Sequence, residues 1–167
     1  MYRTIEDFEK SWQYETESMK KVLDSLTDES LTQSVADDHR TLGRIAWHIA
    51  TTIPEMMNRT GLKVSALKEE DPVPGSAGEI AGGFKAVADE LLAQIKDNWD
   101  DDSLQQSDDM YGEQWQRGMT LGALIGHQAH HRGQMTVLMR QAGLKVPGVY
   151  GPSKEEWVNF GMPAPEI

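Results

Sequence analysis

Apolar residues recur at the three- and four-residue spacing of amphipathic helices in four separate stretches of the chain. The first stretch begins after Thr4, whose hydroxyl can cap a helix together with Asp7, and it covers about residues 4–26. Its apolar face is formed by Ile5, Phe8, Trp12, Met19, Leu23 and Leu26. This pattern predicts a helix that packs with one face against other helices.

The second and third stretches show the same pattern between recognisable start and stop signals. The second begins after Thr41, can bend at Pro54 and is expected to end near Gly61. The third begins after Ser76 and is expected to end near Asn98. Their apolar faces are formed by Leu42, Ile45, Ile49, Ile53 and Met56 in the second and by Ile80, Phe84, Val87, Leu91 and Ile95 in the third.

The fourth stretch begins after Thr120, its expected cap, and ends before Gly143. Its apolar side is formed by Leu121, Leu124, Ile125, Met135, Leu138 and Met139. Ser153 and Glu156 then have the spacing of a capping box, which predicts a short C-terminal helix around Trp157.

These patterns predict an all-α fold, because no part of the chain shows a sustained two-residue alternation of apolar and polar positions. Four amphipathic helices of about 18–23 residues, each roughly 30 Å long, bury their apolar faces best as a four-helix bundle. The length suits a single domain over residues 1–167. The connectors at 61–76 and 98–118 are long enough to cross the bundle, so their lengths leave the helix directions open.

Charge and composition restrict the function. A net charge of −11 without a stripe of Lys or Arg argues against nucleic-acid binding. The absence of cysteine means that any metal must be held by nitrogen or oxygen atoms. The chain has no apolar stretch of the roughly 18 residues that a membrane helix requires. The acidic residues 2–7 do not resemble a secretory signal, so we expect a cytoplasmic protein without a membrane partner.

Three of the five histidines lie close together in the fourth stretch. His127 and His131 are four residues apart, which places their Cβ atoms about 5–6 Å from each other on one side of a helix. Two imidazoles at this spacing can bind one metal ion. At about 100° per residue, both rings lie beside the apolar face, whereas His130 points away from it.

His48 is the candidate third ligand, because it lies beside the apolar face of the second helix. It follows Thr41 by the same seven residues that separate His127 from Thr120, which predicts similar depths in a bundle. The alternative is an ordinary hydrogen-bonded or surface role for these histidines. Gln128 stands where a zincin has its catalytic glutamate, and the chain lacks the Glu-x-x-His pairs of a ferritin-like di-iron centre.

The chain resembles the DinB superfamily of damage-inducible and related metalloproteins over about residues 5–160. The resemblance is carried by His48, by the segment His127-x3-His131-Arg132-Gly133-Gln134, and by Gly143, Pro147 and Tyr150-Gly151-Pro152. It implies a four-helix bundle in up-down-down-up order and frequent homodimers. It also implies a site for nickel or zinc with open coordination positions, for which the ligands carried over by position are His48, His127 and His131.

Relatives in this superfamily include metal-dependent hydrolases, and transferases or isomerases that use a low-molecular-weight thiol as co-substrate. The leading hypothesis is therefore a metal-dependent hydrolase or thiol-dependent transferase that acts on a small molecule. A partly exposed metal held by three neutral imidazoles suits both chemistries. The alternatives are a noncatalytic metal-dependent binding or stress-response module, and a structural bundle whose histidines are incidental.

No catalytic acid or base is assigned from the sequence. Glu55 lies on the same flank as His48 but about 10 Å further along the helix, so it can line a pocket without touching a metal. Gln134 is a candidate for substrate binding or for an ordinary surface role. Arg132 points about 100° away from His131 and is expected to form a salt bridge.

Overall fold

The computed structural model describes residues 1–65, 67–68 and 70–166. Its four long helices are α1 (Ile5–Leu23), α2 (Leu42–Met57), α3 (Ala77–Asn98) and α4 (Arg117–Gln141). Helices α1 and α2 each pack against both α3 and α4. Short 3₁₀ helices cover Glu29–Thr32, Asn58–Thr60, Asp102–Gln105 and Trp157–Phe160. The predicted helical fold is confirmed.

The N-termini of α1 and α2 are capped as the sequence predicts. The hydroxyl oxygens of Thr4 and Thr41 accept hydrogen bonds from the backbone N–H groups of Asp7 and Arg44, each at 3.2 Å. Such caps satisfy N–H groups that have no partner inside the helix. The second helix continues as a 3₁₀ turn and stops at Gly61, whose φ of 86° is in the left-handed region that favours glycine.

Helix α3 has the predicted bounds but a different cap. The side chain of Ser76 makes no capping hydrogen bond. The backbone N–H of Ala77 instead donates to the carboxylate of Asp28 at 2.7 Å. A residue 49 positions earlier in the chain therefore caps this helix, which also fastens the α1–α2 connector to the start of α3.

The predicted start of the fourth helix is wrong. The helix α4 begins at Arg117, so Thr120 lies inside its first turn, fully buried, with its hydroxyl near the carbonyl of Gln116. In the first turn of α4 the Tyr2 backbone lies against Gly118, and the Tyr2 N–H donates to the Gly118 carbonyl at 3.0 Å. A Cβ atom at residue 118 would collide with the Tyr2 carbonyl oxygen, so glycine is required there.

A short β-hairpin precedes α4, and the all-α prediction missed it. Strands β1 (Ser107–Met110) and β2 (Glu113–Gln116) are antiparallel, with Met110 opposite Glu113. Tyr111 and Gly112 form the turn with φ values of 61° and 89°, the positive values that tight two-residue hairpins require. Met110 is fully buried and anchors the hairpin in the core.

The hydrophobic core lies between the four helices and includes Phe8, Trp12, Ile49, Ile53, Leu91 and Leu124, each at most 1% exposed. The predicted C-terminal helix is a single 3₁₀ turn, Trp157–Phe160. Before it, the Glu156 carboxylate accepts backbone hydrogen bonds from Gly148 and Ser153 at 2.9 and 3.0 Å. Across the described residues, we find no helix with the length and apolar character needed to cross a membrane.

Candidate metal centre

Three histidine side chains from two helices meet between α2 and α4. His48 extends from α2, and His127 and His131 extend from successive turns of α4. The Nε2 atom of His127 lies 3.2 Å from Nε2 of His48 and 3.1 Å from Nε2 of His131. One ligand atom from each residue lies within 4.8 Å of the others, so the group could hold a metal ion. All three side chains are half-buried.

Two of the three separations between the ring nitrogens fit coordination of a single ion. At metal–nitrogen distances near 2.0–2.1 Å, two ligand nitrogens are separated by about 2.9 Å for an angle of about 90° and by about 3.4 Å for a tetrahedral angle. The observed separations of 3.1 and 3.2 Å lie between these limits. The donor set is also suitable, because imidazole nitrogens are common ligands of zinc and nickel.

Gln134 orients His131 for this role. The Nδ1 atom of His131 lies 2.7 Å from the Oε1 atom of Gln134. An amide oxygen only accepts, so Nδ1 donates its proton to Gln134, and the lone pair of Nε2 faces the other two rings. The amide nitrogen of Gln134 lies 3.1 Å from Nε2 of His130. His130 is exposed, as predicted, and its ring packs edge-on against that of His131, with the ring centroids 4.9 Å apart.

His127 is the central ring of the cluster. Burial, followed by the neighbouring imidazoles of His131 and His48, lowers the pKa of His127 from 6.5 to about 4. The ring is therefore neutral at pH 7, which is the protonation state that binds a metal. Its Nδ1 atom is buried and has no hydrogen-bond partner in the described part of the chain.

A buried hydrogen bond next to the cluster links the two helices. Gln128, only 2% exposed, donates from its amide nitrogen to the backbone carbonyl of Ile49 at 3.1 Å. These two residues directly follow His127 and His48 in the chain. The bond therefore fixes the position of α2 along α4 at the level of the three rings. This role of Gln128 was not predicted from the sequence, although its position on the apolar face of α4 was a usable signal.

The three histidines meet, although one argument for their meeting was wrong. The prediction treated Thr41 and Thr120 as equivalent caps, and only Thr41 is one. His48 lies seven residues after its cap, whereas His127 lies eleven residues after Gln116, the residue at the N-terminus of α4. The two matching segments are coincidental, and the tertiary packing of α4 sets the depth of His127.

Comparison with known proteins places the chain in a family. The model of the DinB family matches residues 1–165, nearly the whole chain. The chain belongs to the DinB family.

Its relatives include the protein YrdA of Bacillus subtilis (strain 168), which is 47% identical over 167 residues, and the match covers all of both chains. The crystal structure of a DinB-like protein from Bacillus cereus ATCC 10987 is 53% identical, with a TM-score of 0.87. It covers 90% of this chain and 100% of its own. A second DinB-like structure, YjoA of Bacillus subtilis, is 14% identical with a TM-score of 0.68, covers 86% of this chain and 97% of its own, and shows similarity of fold alone.

Glu55 is held away from the DinB histidine cluster by two other partners. Its carboxylate accepts hydrogen bonds from the guanidinium of Arg59 at 2.9 and 3.0 Å and from the hydroxyl of Tyr111 at 2.7 Å. Burial and this hydrogen bond raise the pKa of Tyr111 to about 12. Glu55 thus connects α2 to the tip of the hairpin, and the contacts of its carboxylate do not support a role as general base.

Arg132 forms the salt bridge that the sequence predicts, and the bridge is buried. The guanidinium of this DinB-motif residue lies 2.6 Å from the carboxylate of Glu15, and the two side chains are 3% and 5% exposed. The hydroxyl of Tyr150 donates to the same carboxylate, and the Tyr150 ring lies 5.3 Å from the guanidinium carbon. Arg132, which directly follows the candidate ligand His131, therefore joins α4 to α1 and to the C-terminal segment.

Proposed function

We propose that this DinB-family protein binds one divalent transition metal, nickel or zinc, through the Nε2 atoms of His48, His127 and His131. The activity that we propose is that of a metal-dependent hydrolase or of a transferase that uses a low-molecular-weight thiol. The observation that carries the proposal is the convergence of three imidazole nitrogens, 3.1 and 3.2 Å apart, from two helices.

When bound, a divalent metal with three neutral ligands would supply Lewis-acid chemistry at its remaining coordination positions. The protein supplies the orientation of the rings. Gln134 keeps the proton of His131 on Nδ1, so that Nε2 offers a lone pair. Burial keeps His127 neutral. The chain contains no cysteine, so in the transferase version the sulfur arrives with the co-substrate.

One observation favours the alternative, a noncatalytic metal-dependent binding or stress-response module. Glu55, the carboxylate considered as general base, is bound by Arg59 and Tyr111. Proton transfer would therefore depend on the substrate or on solvent. A module that binds a ligand without converting it needs no such group.

Elemental analysis of untagged protein tests the metal site. We expect about one nickel or zinc ion per chain in the wild type and none above background in His127→Ala. His130→Ala is the matched control, because it removes an exposed histidine of the same helix and is expected to keep the metal. Equal metal content in the two variants would refute the assignment of His127 as a ligand.

Activity is tested separately from metal binding. A screen of esters, amides and thiol conjugations should reveal turnover by the metal-loaded wild type, and chelation and His127→Ala should abolish it. Turnover that persists after complete removal of the metal would refute the enzymatic proposal. Binding of a small molecule without any product in the same screen would favour the noncatalytic alternative.

For the fold, we propose one domain with the helices in up-down-down-up order. Residue numbers rise along one helix as they fall along the other in the contacts of α1 with α3, and they rise together in those of α1 with α4. The supporting pairs are Glu9 with Lys96 and Trp12 with Ala88 for the first, and Tyr2 with Gly118 and Glu15 with Arg132 for the second. The direction of α2 in this order follows from the resemblance.

Four further expectations stay predictions from the sequence and its resemblance: a homodimer, a cytoplasmic location, a small-molecule partner, and the lack of a nucleic-acid or membrane partner. Sedimentation at several protein concentrations would test the homodimer. A monomer at every concentration would contradict the expected dimer.

A further inference from the structure

The outer side of α4 carries no charged side chain, although it is open to solvent. Between Arg117 and Arg140 the helix contains no Asp, Glu or Lys, and its single arginine there, Arg132, is buried. The exposed residues that share the outward-facing side are Met119, Gly126, His130, Gly133 and Val137. At about 100° per residue they lie within about 60° of one another, and we call them the outer α4 face.

This lack of charge sets the outer α4 face apart from the other exposed helical surfaces. Charged residues make up 26% of the chain, and α1 and α3 carry the exposed ion pairs Lys20–Asp24 and Lys85–Asp89. Helix α2 also has few charged residues, but most of it is buried. Burial does not account for the outer α4 face, because its two large apolar side chains are 46% and 55% exposed. An exposed apolar surface of this kind indicates contact with another molecule.

Two glycines on this face are not required by the packing of the chain itself. A Cβ atom added at Gly126 or Gly133 would meet no described side chain or neighbouring element within 4 Å, and neither residue has a positive φ. Glycine inside a helix is less stable than alanine, but it allows another backbone to approach closely. Gly82 of α3 has the same freedom, yet it lies between the exposed charges of Glu79 and Lys85, which do not suit an apolar contact.

The charge of the whole molecule indicates which partner fits this face. With a net charge of −11, two copies repel each other, and a surface without charge is where they meet at the lowest electrostatic cost. The face is also self-complementary. In an antiparallel pair with a two-fold axis at the level of Gln128, His130 of each copy lies opposite Gly126 of the other, and Met119 lies opposite Val137. A large side chain therefore meets a glycine near the axis, and apolar side chains meet at both ends.

Apolar surface continues beyond the helix at both ends of the face. At one end the Met1 backbone lies beside Gly122, and Met1 is 68% exposed. At the other end Val35, 58% exposed, shares the wall of a surface cavity with Val137. These residues widen the apolar area that a second copy can cover.

We infer that the outer α4 face is a homodimer interface, in which it packs against the same face of a second copy, antiparallel and around a two-fold axis near Gln128. The inference does not depend on the proposed metal site. It assigns a surface and an arrangement to the dimer.

Sedimentation of the full-length protein in the presence of a chelator tests this surface independently of any metal. We expect the wild type to dimerise. Gly126→Glu should raise the dimer dissociation constant about 100-fold or more, because it places two like charges close to the axis. The new side chain has room in the monomer, so circular dichroism should show unchanged helical content. Val137→Glu, at the end of the face, should also weaken the dimer.

Gly82→Glu is the matched control, because it adds the same charge at an exposed glycine of α3 and should leave the dimer intact. A wild type that stays monomeric at every concentration would overturn the inference. So would a Gly126→Glu variant that dimerises as tightly as the wild type. Equal weakening by Gly82→Glu would overturn it too, because the added charge would then act irrespective of its position.

Cysteine cross-linking tests the antiparallel arrangement, because the chain has no cysteine of its own. Residues 119 and 137 are about 27 Å apart along the helix, so a short bismaleimide should not link two copies of Met119→Cys or two copies of Val137→Cys. After subunit exchange in a mixture of both variants, we expect it to link one copy of each. Links within either variant alone as frequent as those in the mixture, or no links at all, would overturn the arrangement.

Discussion

His127 contacts both other rings of the cluster, and this position sets the pH response of the metal-free protein. Its pKa is lowered from 6.5 to about 4 in the folded state. Between these values the unfolded chain binds a proton that the folded protein does not, so the free energy of unfolding rises with pH. Because a single ring binds at most one proton, the slope stays below about 1.4 kcal/mol per pH unit, and solvent screening of the half-buried ring reduces the total effect.

Urea unfolding in the presence of a chelator, at several pH values from 4 to 6.5, measures this contribution. The difference between wild type and His127→Gln isolates the ring, because a change of packing gives an offset that is independent of pH. We expect the stability of the wild type to fall relative to the variant as the pH decreases. If the free energies of unfolding of the two proteins changed in parallel with pH, the lowered pKa of His127 would be contradicted.

The buried charges of Glu15 and Arg132 depend on each other. Glu15→Leu leaves a buried guanidinium without its opposite charge, and Arg132→Met leaves a buried carboxylate without its opposite charge. We expect each single change to lower the free energy of unfolding by about 3–5 kcal/mol. The double variant, which buries neither charge, should be more stable than either single variant in urea unfolding. A double variant as unstable as the sum of both changes would contradict the coupling.

The roles of several individual residues could be predicted from the sequence. His127 and His131 were paired through their helical spacing, and His130 was correctly placed outside. Glu15 and Gln128 were missed, although both stand at positions of their helices' apolar stripes, where a polar side chain has to find a buried partner. The partners themselves are remote in sequence: Arg132 lies 117 positions from Glu15, and local pattern does not identify such a pair.

At the scale of single elements, the two threonines that look alike in the sequence have different roles. Thr41 caps α2 through its hydroxyl, whereas Thr120 lies within α4 and its hydroxyl bonds to the Gln116 carbonyl in the preceding turn. We expect Thr41→Val to lower the free energy of unfolding by about 1 kcal/mol, because the N-cap is lost. Thr120→Val keeps the shape of a buried side chain, and we expect a change below about 0.5 kcal/mol. Chemical denaturation measures the free energy of unfolding of both variants. A larger loss for Thr120→Val than for Thr41→Val would contradict the helix start at Arg117.

The helix ends that were predicted correctly are marked by residues close to them in the sequence. The ends and strands that were not predicted have no such local marker. The cap at Thr4 and the stop at Gly61 depend on residues within one turn of the helix end. The first turn of α4 instead packs against Tyr2, which is remote from Gly118 in the chain. The hairpin has strands of only four residues with a single fully buried anchor, Met110. The alternation of apolar and polar residues along these strands is therefore too short to be recognised in the sequence.

At the scale of the whole molecule, a metal that binds ligands from two helices should stabilise the fold. A ligand at 100 times its dissociation constant adds about 2.7 kcal/mol, which for a protein of this size raises Tm by about 5–10 °C. Thermal unfolding with and without added zinc or nickel measures this shift. We expect His130→Ala to respond like the wild type and His127→Ala not to respond. An equal rise in both variants would point to binding elsewhere.

The hydrogen bond from Gln128 to the Ile49 carbonyl bears on how the proposed ion would be acquired. This bond and the surrounding core hold α2 against α4 through protein contacts alone, so we expect the three rings to lie together before an ion binds. We therefore expect the chain, unlike small zinc modules that fold only around their metal, to stay folded when the ion is removed. Its loading would then follow the supply of metal in its surroundings.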